Sequence, residues 1–275
     1  VGSVDIGAMM AFIQYMATVL MSFSMLLVII LNIPRVVVSF KRINEVLMTE
    51  PVIENTGKIK LTNLESIEFK DVCFRYDKAK EDVLHNISFR IEKGENVGII
   101  GSSASGKTTI INLLLRHIDA TSGEILINGI NISEYDIESL RNIFAYTPQK
   151  TLLFKGTIRE NLVFDKKVNK NVLDSVMEDA EIKDFIDKND EGYNFKLEQS
   201  AINLSGGQKQ RMSIARALLS GGECLLFDDS FSALDYKTDS ILRKELKKYT
   251  KDATSMIVAQ RIGTIINADK IVVLD

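Results

Sequence analysis

The chain has 275 residues, with 34 Lys+Arg against 37 Asp+Glu, a net charge of −3, two Cys and two His. That length can bury a sizeable core in one large or two modest domains. No basic excess is present, which disfavours nucleic acid as the principal partner, since such binding is mostly phosphate neutralisation by Lys and Arg. Two Cys cannot build a disulfide framework. Cys73 and Cys224 both stand in apolar runs and are expected as buried small hydrophobes in a reducing compartment.

The average composition hides an asymmetry. Residues 6–34 contain no charged side chain, and five of the nine Met lie in the first 25 positions. As helix, that stretch would be roughly 43 Å long, more than a bilayer's hydrocarbon core requires. A signal peptide fits poorly, because no basic segment precedes the run and the run is too long. A buried helix of a soluble protein is the bland alternative, and the length argues against it. Arg35, Lys41 and Arg42 follow the run, with Asp5 before it, so the positive-inside rule places the C-terminal side in the cytoplasm.

Helical spacing of Val37, Phe40, Ile43 and Leu47 continues through residues 36–48, until Pro51 and the polar Glu54-Asn55-Thr56-Gly57 end it. Residues 1–50 therefore read as one membrane-spanning helix, 51–65 as a linker, and 66–275 as a single α/β domain. Within that domain, 67–69, 72–76 and 87–91 look like strands of an antiparallel layer. The apolar runs 96–100, 225–228, 255–259 and 271–274 suit strands buried in a parallel sheet. No repeat of 20–50 residues is visible.

The first of these apolar runs, 96–100, leads into Gly101-Ser102-Ser103-Ala104-Ser105-Gly106-Lys107-Thr108-Thr109. This matches G-x-x-x-x-G-K-[ST] with a strand before it and an apolar helix after it. The glycines permit a tight loop that aims backbone N–H groups at phosphate oxygens, and the helix starting at Lys107 adds its N-terminal dipole. Lys107 is placed to reach the β- and γ-phosphates, and the Thr108 hydroxyl to ligate Mg²⁺. Asp228, delivered at the end of an apolar strand, is the candidate carboxylate for the ion, with a solvated turn acid as the alternative.

Leu204-Ser205-Gly206-Gly207-Gln208 then opens a helix expected over 208–219. With this five-residue signature the chain resembles the ATP-binding-cassette transporters. The resemblance implies a P-loop cassette with a parallel core sheet, an antiparallel β layer and a helical subdomain. In that family the signature faces ATP held by the other subunit of a head-to-tail dimer. It implies that Tyr76 stacks on adenine and that Gln149 touches Mg²⁺ and the attacking water. It also implies that Ser232, Ala233, Leu234 and Asp235 form the loop exchanged across the dimer. Leu153-Phe154-Lys155-Gly156-Thr157-Ile158 and Arg42-Ile43-Asn44-Glu45 resemble the exporter branch, for which five further membrane helices before residue 1 and a short tail after Asp275 are expected.

Three positions depart from the family pattern. The general base is a Glu directly after the magnesium Asp, whereas this chain has Asp229. The switch histidine is replaced by Gln260, since both His85 and His117 lie upstream of the signature. Gln199 stands where a cross-domain Glu is usual. A carboxylate one methylene short is a poorly placed base, and glutamine has no titratable proton. The expectation is an exporter subunit that binds ATP and Mg²⁺, hydrolyses slowly in its own pocket, and works with a second half-transporter in the membrane. A regulatory homodimer with little turnover is the alternative. A soluble cassette ATPase would conflict with residues 6–34.

Overall fold

The computed structural model describes residues 5–164, 166–250 and 253–275, and divides into two units, 1–52 and 53–275. The first contains α1 (Ile6–Leu47), one continuous helix long and apolar enough to cross a membrane. The Asp5 side chain caps it by accepting from the Gly7 N–H at 3.0 Å. Thr18, Ser22 and Ser24 fold their hydroxyls back onto carbonyls one turn earlier, so these polar groups need no outside partner. The helix passes through Pro34 without ending, and the span and the following helix of the sequence reading are one element.

The second unit begins with a segment that hydrogen-bonds across it. Asn55 bonds to Asp136, Leu61 N–H to Ser139, and Leu64 N–H to Glu223. Then come β1 (Ser66–Phe74), β2 (Leu84–Glu92), β3 (Asn96–Gly101), α2 (Lys107–Leu114), β4 (Ser122–Ile127) and β5 (Ile130–Asn131). Next are α3 (Ile137–Asn142), β6 (Phe144–Thr147), β7 (Gly156–Thr157), α4 (Ile158–Val163), α5 (Lys170–Asp179), α6 (Lys183–Asp187) and β8 (Lys196–Leu197). The chain closes with α7 (Gly206–Ser220), β9 (Cys224–Asp228), α8 (Tyr236–Thr250), β10 (Thr254–Val258), α9 (Ile262–Ile265) and β11 (Lys270–Leu274).

Two larger sheets organise this unit, beside a small antiparallel pair of β7 and β8. The larger antiparallel one has the order β2-β1-β4-β5, the parallel one β11-β3-β10-β9-β6. The two strands expected at 67–69 and 72–76 are a single β1, interrupted by a bulge where Asp71 takes φ 48 and its N–H bonds to Ser88. One apolar core lies among both sheets and α2, built on Phe69, Ile67, Ile91, Ile110, Leu113 and Leu226. Phe69 stacks on Phe89 at 4.6 Å. A second core joins α4, α5 and α7 to the parallel sheet through Leu162, Met177, Ile214 and Phe227. This helical layer hangs on the sheet edge at β6, beside the strand ends where ligands bind in such sheets.

The cysteines behave differently from each other. Cys224 is fully buried in β9, and burial pushes its thiol pKa up. Cys73 is only half-buried, its Sγ lying 3.2 Å from Asn86 Oδ1, which corrects the expectation of a buried thiol. In β1 it points away from the face that carries Val72 and Phe74. A maleimide should therefore label one thiol of the native protein, and Cys73→Ser should abolish that labelling. Mass spectrometry after brief reaction measures it.

Candidate nucleotide site

The phosphate loop leaves β3 at Gly101 and turns into α2 at Lys107. Gly106 takes φ +89, and a Cβ there would stand 2.6 Å from Leu84, so both conformation and space require glycine. No side chain caps α2, which leaves its first N–H groups directed into the loop. Lys107 Nζ lies over the same loop, donating to the carbonyls of Gly101 at 3.0 Å and Ser102, and to Ser105 Oγ at 3.3 Å. Thr108 Oγ1 donates to Asp228 Oδ1 at 3.1 Å across 120 positions of sequence.

Asp228 is 1% exposed, and its Oδ2 has no hydrogen-bond partner among the described residues. Burial lifts its carboxyl pKa above the ordinary value, the Asp229 charge adds to this, and Thr108 and Lys107 oppose it. A buried carboxylate oxygen left unpaired, beside a threonine hydroxyl and a phosphate loop, fits a magnesium ion well. No group of three or more His, Cys, Asp and Glu side chains that could hold a metal occurs among the described residues. An ion here would rest on one carboxylate, a hydroxyl and phosphate oxygens, which is the hard-oxygen set that Mg²⁺ prefers.

A cleft of about 410 Å³ joins these parts. Tyr76, Val83, residues 103–109, Gln149 and Gln260 line it. The Tyr76 hydroxyl lies 3.2 Å from Thr109 Oγ1, and Phe74 packs edge-on to its ring at 4.8 Å. With 44% of its surface exposed, Tyr76 offers a free aromatic face at the mouth, suited to a flat base. Asp229, 8% exposed with φ 48, follows β9. Its Oδ2 accepts from Gln260 Nε2 at 2.8 Å and from Gln149 Nε2 at 3.4 Å.

The signature lies outside this cleft. Ser205 caps α7 in a reciprocal box: its Oγ accepts from the Gln208 N–H at 3.2 Å, and Gln208 Oε1 accepts from the Ser205 N–H at 2.8 Å. The helix thus begins at Gly206, two residues before the sequence reading placed it, because the cap fixes the first turn through Gly206 and Gly207. Leu204 is buried, while Ser205 and Gly206 face solvent. The loop 232–235 lies beside it. Ala233 N–H donates to Gln210 Oε1 at 3.2 Å, Leu234 is buried, and Ser232 Oγ donates to the Asp229 carbonyl at 2.9 Å. Asp235 accepts from the Thr238 N–H and hydroxyl, which hold its carboxyl below the ordinary pKa.

Sequence reasoning missed Tyr146 as a neighbour of this site. Its phenol pKa is pushed up to about 12, first by burial and then by the Asp228 charge. The only signal was its place in β6, a strand that itself went unread.

Comparison with known proteins accords with this geometry. The ABC transporter family model matches residues 84–232. YfiB, an uncharacterized ABC transporter ATP-binding protein of Bacillus subtilis (strain 168), is 38% identical over 277 residues, covering 100% of this chain and 48% of that protein. An ATP-dependent lipid A-core flippase of Pasteurella multocida (strain Pm70) is 38% identical over 225 residues, covering 81% of this chain and 39% of that protein. A bacterial Atm1-family ABC exporter, solved with ATP bound, superposes with a TM-score of 0.82 at 32% identity, over 89% of this chain and 43% of that one. The chain spans about half the length, or less, of these relatives. Matched by the family model over residues 84–232, which take in the phosphate loop, the 204–208 segment and Asp228, the chain belongs to the ABC transporter family.

Proposed function

We propose that this chain is the cassette and adjoining membrane helix of an exporter half-transporter, which binds ATP with Mg²⁺ but hydrolyses it slowly in its own pocket. Its partner in this reading is a second, different half-transporter, and the whole is a multi-pass membrane protein with the cassette in the cytoplasm. One observation carries the reading: Thr108–Asp228 is fit for the ion, while the adjacent carboxylate is a shortened Asp229 bonded to Gln260.

The chemistry divides among named residues. The loop N–H groups and Lys107 neutralise phosphate charge, and Tyr76 supports the base. Thr108 and Asp228 would hold Mg²⁺, with Gln149 at the rim of the same cleft. Bound there, the ion would supply charge neutralisation between the β- and γ-phosphates. Asp229 is the acid nearest the position of a general base, a role typically worth about 10²–10⁴-fold. Set back by a methylene and occupied by an amide, it forfeits much of that factor. The signature at Ser205–Gly207 serves the partner's ATP in this reading, and closure of the two cassettes moves the membrane helices.

The purified protein should bind a fluorescent ATP analogue in a Mg²⁺-dependent manner, and Lys107→Ala should weaken binding about tenfold or more, measured by anisotropy. Turnover without a partner should be low. Brisk hydrolysis by a verified homodimer would refute the slow pocket. A homodimer that binds ATP, hydrolyses little and needs no partner for its cellular activity would instead favour the regulatory reading.

A further inference from the structure

Asp229 is engaged through its N–H, its carbonyl and one of its two carboxylate oxygens. Its N–H donates to the Val258 carbonyl at 3.0 Å, and its own carbonyl accepts from Ser232 Oγ at 2.9 Å. One carboxylate oxygen, Oδ2, takes both carboxamides, from Gln260 and from Gln149. The three residues follow β10, β9 and β6, which are consecutive in the parallel sheet. A single oxygen therefore links three adjacent strand ends. The φ of 48 at Asp229 is a left-handed conformation, uncommon outside glycine but tolerated better by aspartate than by most residues. Gln149 and Gln260 are themselves exposed and long, so without this acceptor nothing else among the hydrogen bonds of the described residues orders their amides. A bond to a carboxylate is roughly twice as strong as one between neutral groups, and an amide makes it without adding charge.

We propose that Asp229 acts in this chain as a cross-strand tie, a positioning residue that holds Gln149 and Gln260 together at the rim of the nucleotide cleft instead of serving as a base. The proposal rests on the reading of this pocket as a slow ATP site and deepens it. In this role its short side chain keeps the amide that follows β6 and the amide that follows β10 on one acceptor.

Hydrogen exchange of the full-length protein in detergent or nanodiscs, read by mass spectrometry without nucleotide, tests it. Asp229→Ala should speed exchange about tenfold in both 144–152 and 256–262. Asp229→Asn keeps a carbonyl acceptor but cannot accept a proton as a base, so its exchange should stay within about threefold of the parent. Its turnover should be as low as that of Asp229→Ala. Unchanged exchange in Asp229→Ala, acceleration confined to one segment, or Asn behaving as Ala would each overturn the tie. If Asp229→Ala does not fold, Gln149→Ala and Gln260→Ala decide through a double-mutant cycle. Each alone should loosen the other's segment, and strictly additive effects would refute the proposal. Failure to bind ATP would sink the functional reading while leaving the exchange comparison intact.

Discussion

Asp229→Glu combined with Gln260→His should raise ATP hydrolysis in this chain's own pocket by about two orders of magnitude, and by more than the product of the two single changes. The basis is the geometry around one oxygen. Asp229 Oδ2 receives Gln260 at 2.8 Å and Gln149 at 3.4 Å, so the existing carboxylate is both short and engaged. A glutamate extends the acid by one methylene, beside a cleft of about 410 Å³ that Gln149 and Gln260 line. Histidine at 260 removes one of the two amides and supplies a ring that can bond the base and carry charge. Both changes act on one transition state, for which additivity is not expected. Steady-state phosphate release by the purified full-length protein, with analogue binding as the control, measures the gain. If binding is intact and the double variant gains nothing, the slowness originates elsewhere, for instance in the partner's signature.

The second large effect is asymmetric across the proposed heterodimer. Ser205→Glu should lower its hydrolysis by more than about 10²-fold, whereas Asp229→Ala should change it by less than about fivefold. Ser205 is exposed at the start of α7, in a capping box whose loss alone costs roughly 1 kcal/mol. The α7 N-terminus presents N–H groups and a positive dipole end suited to a phosphate, and a glutamate there would oppose that anion. Asp229 lines a cavity next to the cleft of this chain's own phosphate loop, the two sharing Gln260. In the proposed heterodimer the sound signature and the shortened acid would serve different sites, and only the former would fall in the site that turns over. ATPase assays on the co-purified pair measure both variants. If Asp229→Ala stops turnover and Ser205→Glu is tolerated, the working and resting sites are reversed.

The membrane-length helix, the phosphate loop, the signature segment, Asp228 at the end of its apolar strand and the two departures at 229 and 260 were all legible in the amino-acid order. These features depend on interactions within a few residues. Glycines and caps set a loop's backbone locally, and uninterrupted apolar composition needs no tertiary partner to be recognised. The strands β4 and β6 escaped notice for the complementary reason. β4 is exposed along its first half, and β6 is four residues long, so neither shows a full period. Cys73 looked buried because its neighbours are apolar, yet strand alternation at a bulge turns it outward. Only the tertiary structure brought Gln149 and Gln260, 80 and 31 positions from Asp229, onto one carboxylate oxygen, and it set Tyr146 beside Asp228. Those meetings follow from the order β10-β9-β6 in the sheet, and strand order is settled by which apolar faces pack together, which no local spacing encodes.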